Sequence, residues 1–238
     1  LSFEGTRLET HSVVDHSKWL LTFDLFSSCS LFINRSSSLL FHSYHRSRMH
    51  AAYLFLALLL PLSTAAPRRW LKKDLTFSVD SRGSGMIASE TRKAIHTAFY
   101  VWSAVVPLKF KEVSTGADIK IRFASGDHGD AYPFDGEGNQ LYHVFYPEKG
   151  EVHFDADEHW TVMSEQNLPV DTAQWDFLTM AIHATGHALG LRHSHDPASI
   201  MAPTSIDTKP VDEEGNYAAP KLDAGTIRVI QRMYGEAE

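Results

Sequence analysis

Residues 183–193 read HATGHALGLRH, and no other stretch constrains this chain so tightly. On an α-helix, positions i and i+4 lie on one face about a turn apart, so His183 and His187 project together. Glycine adopts positive φ without strain, so Gly190 can turn the chain sharply and bring His193 round to the same point. Three imidazole nitrogens suit a zinc ion and leave a fourth position open, as in catalytic rather than structural zinc sites. A pair of histidines at this spacing is weak by itself, because surface and capping histidines produce it too. The glycine and the third histidine make the pattern specific.

The chain has 238 residues, 43% of them hydrophobic and 21% charged, with a net charge of -7. That describes a globular chain long enough for one good core, and the acidic balance gives no reason to expect nucleic acid. The N-terminal part reads differently. Residues 1–48 begin with Leu, contain no Met, and scatter Ser, His and Phe without a period; they are expected to be a non-native or untranslated upstream segment. Residues 49–66, MHAAYLFLALLLPLSTAA, have the form of a secretory signal peptide, with an apolar run followed by small residues. The run is too short for a membrane anchor; a buried core helix is the alternative. The single cysteine, Cys29, lies upstream, so the expected domain at 67–238 contains no disulfide. Bound metals would then supply stability that disulfides give other small secreted domains.

Within 67–238, residues 75–80 read as a strand. Residues 89–105 follow as an amphipathic helix, with Ile95, Phe99, Trp102 and Val106 at near-helical spacing. Residues 108–113 and 117–124 alternate apolar and polar like half-buried strands, and 142–146 and 152–157 are further short strands. Residues 125–141 form a Gly- and Asp-rich loop. A second helix is expected at 171–190, capped by Asp171 and stopped by Gly190, and a third at 222–235. The order predicts a single α/β domain with helices packed on a twisted sheet.

Met201, in SIMAP, follows His193 by eight residues and matches the methionine turn of the metzincin clan. The whole segment HATGHALGLRHSHDPASIMAP resembles the zinc-binding segment of the matrixins, the matrix metalloproteinase family. GDHGDAYPFDGEGNQLYHVFYP and VHFDADEHWT resemble that family's structural-metal region, and IQRMYG its last helix. The likeness runs from about Trp70 to Gly235. It implies a mostly parallel sheet with an antiparallel edge strand and three helices. It further implies a catalytic zinc on His183, His187 and His193 above Met201, and a structural zinc on His128, Asp130, His143 and His153. A calcium ion would lie on Asp135, the carbonyls of Gly136, Gly138 and Gln140, and the side chains of Asp155 and Glu158. Asp118 could serve a further calcium, although the loop PEKGEVHF is shorter than usual for the family.

One residue departs from the pattern. Matrixins carry a glutamate after the first histidine, the general base acting on the zinc-bound water, and this chain has Ala184. Zinc can lower the pKa of its water to about 7, but it cannot shuttle the proton, and general acid–base catalysis contributes roughly 100- to 10,000-fold. The region before the domain lacks the family's cysteine switch, no propeller domain is expected after it, and Ala202 stands where tyrosine is common. The expectation is a secreted, extracellular, monomeric zinc metalloendopeptidase domain acting on extended peptides or matrix proteins, with hydrolysis impaired. The alternative is a non-catalytic pseudoprotease that binds peptides or protein inhibitors of metalloproteinases. A purely structural domain would leave the open zinc position unexplained, and an error or a deliberate Glu-to-Ala change would read the same.

Overall fold

The computed structural model describes residues 13–14, 68–82, 85–168, 174–203 and 210–237. The segment expected to be a signal peptide, Asp171 and Cys29 lie outside the described residues. The elements run β1 (Val13–Val14), β2 (Asp74–Asp80), α1 (Ala88–Ser103), β3 (Lys109–Glu112), β4 (Ile119–Ala124), β5 (Tyr142–Phe145), β6 (Glu151–Asp155), β7 (Trp160–Thr161), β8 (Trp175–Asp176), α2 (Phe177–Ala188) and α3 (Ala224–Tyr234). Five strands in the order β5-β6-β4-β2-β3 form the core sheet, and the two-residue β1 adds beyond β5. Every pairing is parallel except β5 with β6. This is the mostly parallel α/β sheet that the sequence led us to expect.

Alternation in the strands does what the pattern predicts: β4 buries Ile119, Ile121 and Phe123 and turns its polar residues outward. Helix α1 buries Thr91, Ala94, Ile95, Ala98, Phe99 and Trp102, a stripe at helical spacing. The expected face is correct; only its last member, Val106, lies past the helix end, where it is still fully buried. Helix α2 is buried at every position except Leu178, whereas α1 also packs directly on the sheet, with Phe99 against Phe77 and Phe110. Trp102 ties the two helices together, its indole Nε1 donating to Ile182 O at 3.1 Å and Thr185 Oγ1 at 3.0 Å.

The start of α2 differs from the expectation. The cap is Asp176 rather than Asp171, and the two residues before the helix pair as β8 with β7. Asp176 accepts from Thr179 N and from Met163 N, both at 2.9 Å. The second bond comes from a residue thirteen positions earlier, so a tertiary contact holds the capping aspartate in place. No helix among the described residues is long and apolar enough to cross a membrane.

Candidate metal centres

The described residues contain two groups whose ligand atoms gather closely enough to hold a metal ion: His183 with His187 and His193, and His128 with Asp130, His143 and His153. They are the two sets singled out in the sequence.

The first group is built on α2. His183 Nδ1 faces Ile200 O at 2.7 Å, and His187 Nδ1 faces Leu191 O at 2.7 Å. A carbonyl only accepts, so each Nδ1 carries the proton. In a neutral ring the lone pair is then on Nε2, and the two Nε2 atoms converge to 2.9 Å. Burial, reinforced by His183 and His193, drives the His187 imidazolium well below the usual histidine range. Two inward lone pairs at this separation repel unless a cation lies between them, so the donor set fits a metal ion. The His193 ring completes the triangle, 4.7 Å from His187 and 5.4 Å from His183 between centroids.

Two glycines make this possible. Gly190 has φ +102, and a Cβ there would lie 1.6 Å from Arg68 O. The end of α2 is held by Trp70 Nε1 donating to Ala188 O at 2.9 Å and Tyr234 OH donating to Leu189 O at 2.7 Å. Gly186 was not singled out from sequence. A Cβ there would meet Met201 Sδ at 2.6 Å and Trp102 Cζ2 at 2.8 Å, so its bare backbone admits the methionine against the helix. Ser199 fixes that turn: its Oγ accepts from Met201 N at 3.1 Å and donates to Asp223 Oδ2 at 2.7 Å. Burial would raise the Asp223 carboxyl, but Ser199 and Thr226 outweigh it and hold it at about 2.

Ala184 is fully buried on the same helix. Its neighbour Thr185 donates its hydroxyl to Ala181 O at 2.6 Å and accepts from Trp102. His195 is exposed.

The second group depends on strand register. β5 and β6 run antiparallel with His143 opposite His153, where facing side chains approach closely. The preceding loop returns His128 and Asp130 to the pair. Asp130 Oδ2 lies 3.0 Å from His128 Nε2, from His143 Nε2 and from His153 Nδ1. His143 Nε2 is 2.9 Å from His153 Nδ1 and 3.4 Å from His128 Nε2. A tetrahedron with metal–nitrogen bonds of about 2.0–2.1 Å has edges of about 3.3 Å, so these separations match a closed four-ligand site. Burial would raise Asp130, but the Tyr132 N–H and His143 hold it at about 2. Burial, with Arg122 next, lowers His153 to about 3.

Sequence reading missed the supports of this group. Phe134 stacks on His128 and on His143, both at 4.8 Å. Arg122 donates to His128 O at 3.0 Å and pins the loop. Arg122 occupies the polar phase of an alternating strand, which reads only as solvent-facing, so no local signal marks it.

The acidic loop is organised differently. Glu158 accepts from Gly138 N at 2.6 Å and from Trp175 Nε1 at 2.9 Å, and Asp135 accepts from Gln140 N at 3.3 Å. Asp155 is fully buried, and its Oδ2 has no hydrogen-bond partner among the described residues. Burial, with the charges of Asp157 and Asp135, raises Asp155 to about 6, and burial likewise raises Glu158. Asp118 is engaged elsewhere, accepting from Thr76 N and Oγ1 at 2.8 Å and pairing with Lys72 at 2.6 Å.

Comparison with known proteins agrees with this geometry. The sequence model of the Matrixin family matches residues 69–235. Matrix metalloproteinase-C of Caenorhabditis elegans is 45% identical over 169 residues, covering 70% of this chain and 29% of that protein. Human matrix metalloproteinase-16 is 40% identical over 179 residues, 71% of this chain and 28% of its own length. Rat macrophage metalloelastase is 40% identical over 174 residues, 70% and 34% respectively. The chain spans about a third or less of the length of these relatives. Over the region that carries both histidine groups, this chain belongs to the matrixin family.

Proposed function

We propose that this chain is a secreted matrixin-type zinc metalloendopeptidase domain whose hydrolysis is impaired by Ala184. One observation carries the reading: two buried histidines with carbonyl-held Nδ1 atoms aim both Nε2 lone pairs at one point, directly beside an alanine. His183, His187 and His193 would hold a zinc ion, leaving its fourth position open. His128, Asp130, His143 and His153 would hold a second, closed zinc. Asp135, Asp155 and Glu158, with the carbonyls of Gly136, Gly138 and Gln140, would hold calcium, which the raised carboxyls favour, as does Asp155 Oδ2, without a hydrogen-bond partner among the described residues. Asp118 is left out of that set because Thr76 and Lys72 occupy its oxygens.

When bound at the open site, zinc supplies an acidified water and polarises the scissile carbonyl. The chain's own contribution ends at binding and orientation. Ile200 O and Leu191 O fix the two helical imidazoles, and Met201 packs beneath them at Gly186. No proton is taken at residue 184, because a methyl group has no lone pair. Thr185 does not substitute, since its hydroxyl proton goes to Ala181 O.

Substrates would be extended peptide segments of extracellular or matrix proteins, in keeping with the names of the relatives and the signal-like residues 49–66. Protein inhibitors of metalloproteinases would be further partners. The test compares the purified chain with Ala184→Glu on a quenched collagen-like peptide, with zinc and calcium present. Activity confined to the variant supports the proposal. Ordinary protease rates in the parent chain would refute it, and inactivity in both would favour a pseudoprotease that binds peptides without cutting them.

A further inference from the structure

Strand β5 serves both histidine groups, because successive side chains on a strand leave from opposite faces. His143 turns one way, into the four-residue group, 2.9 Å from His153. Tyr142 turns the other way, its ring edge-on to His183 at 5.7 Å between centroids. Tyr146, on the same phase just beyond the strand, stands edge-on to His187 at 6.0 Å and 90°. Each helical histidine of the open site therefore has its own tyrosine, and both separations lie in the favourable range for aromatic pairs.

The rings are backed in turn. Phe154 lies 6.1 Å from Tyr142, and the Arg68 guanidinium covers the Tyr146 ring at 4.8 Å. A single hydrogen bond at Nδ1 fixes where one corner of an imidazole points, yet the ring can still swing about that axis. An edge-on aromatic ring restricts the swing.

We infer that β5 couples the two metal sites: Tyr142 and Tyr146 are positioning residues for His183 and His187, and metal binding at the His143 group fixes the strand that carries them. The inference rests on reading both groups as zinc sites. Such coupling is reciprocal, so each zinc should tighten the other.

The test uses the full chain and zinc alone. Affinity at each site is read by competition with a chromogenic chelator, and the open site is followed by its cobalt(II) spectrum. Tyr142→Leu and Tyr146→Leu should each weaken zinc at the open site by about tenfold, the scale of outer-shell substitutions at metal sites. Tyr142→Phe and Tyr146→Phe keep the rings and should stay within about twofold, with unchanged cobalt spectra. Asp130→Asn, which strips the charge from a ligand of the other site and weakens it, should weaken the open site by about fivefold. Val144→Ala lies on the same strand face and controls for a strand that is merely loosened.

Parental affinity in the Leu variants, or in Asp130→Asn, would overturn the coupling. So would a loss in the Phe variants or in Val144→Ala as large as that in the Leu variants. A parent chain that takes up no zinc at His183, His187 and His193 would instead overturn the zinc assignment itself.

Discussion

The two histidine groups solve the same problem with different parts of the fold. The open group takes two candidate ligands from one helix turn and a third from the loop beyond Gly190. The closed group takes His143 and His153 from neighbouring antiparallel strands and adds His128 and Asp130 from a loop. The first uses nitrogen donors only, two of them oriented by backbone carbonyls. The second includes a carboxylate oxygen that meets all three of its histidines at 3.0 Å. Three protein ligands leave room for a reactant, whereas four leave none. On the proposed zinc reading, the residue beside the first histidine would therefore matter only at the open group, and that residue is Ala184.

The strongest test of this contrast is Ala184→Glu. It should raise peptide hydrolysis by roughly 100- to 10,000-fold, the usual contribution of a general base, while zinc content stays unchanged. A variant with no gain would break the division into a reactive and a structural site.

Stripping the metals should have the next largest effect. A tightly bound ion at about 1,000 times its Kd contributes about 4 kcal/mol. In a domain of this size its loss should lower Tm by on the order of 10 °C in a calorimetric scan. His153→Ala should remove one zinc and most of that stability, while His193→Ala should remove the other zinc with the smaller thermal penalty. Equal penalties would erase the difference between the sites.

Gly186→Ala should separate the groups at their supports. Its Cβ would press on Met201 and Trp102, an overpacking cost of about 1–3 kcal/mol measured by denaturant unfolding. Zinc at the open group should weaken, and zinc at the closed group should not.

The smallest effect concerns pH in the metal-free chain. His153 falls from 6.5 to about 3 in the fold, so the unfolded chain takes up the proton first. Its stabilising contribution is complete above pH 6.5 and is lost as pH falls towards about 3. Asp155, raised from 3.8 to about 6, acts oppositely, adding stability as pH falls through that window. In chemical denaturation at pH 4–6, His153→Gln should flatten the loss of stability and Asp155→Asn should steepen it, by at most about 1.4 kcal/mol per pH unit each.

Legibility in the sequence follows from how local each interaction is. The pair His183 and His187 was readable because helix geometry alone brings i and i+4 together. Gly190 was readable because glycine tolerates the positive φ that a sharp turn before His193 requires, whereas the close approach of Arg68 O is a tertiary contact. His128, Asp130, His143 and His153 were identified through resemblance, since their spacing says nothing without the antiparallel register that sets His143 opposite His153. The start of α2 was misplaced because Asp171 and Asp176 are equally good caps locally. Asp176 is also held by Met163 N, a tertiary contact that the local sequence does not show.

By itself the sequence determined the alternating strands, the buried stripe of α1, the helical histidine pair and the alanine that follows it. Each depends on residue type at a fixed short spacing. Tertiary structure alone decided that Gly186 admits Met201, that Arg122 pins the His128 loop, and that Tyr142 and Tyr146 stand against His183 and His187. The Gly186 and tyrosine contacts join residues well apart in the chain, and the Arg122–His128 contact, six residues apart, crosses a loop whose path no local pattern sets. Their geometry exists only once α2 has packed on the sheet and β5 has found its register beside β6.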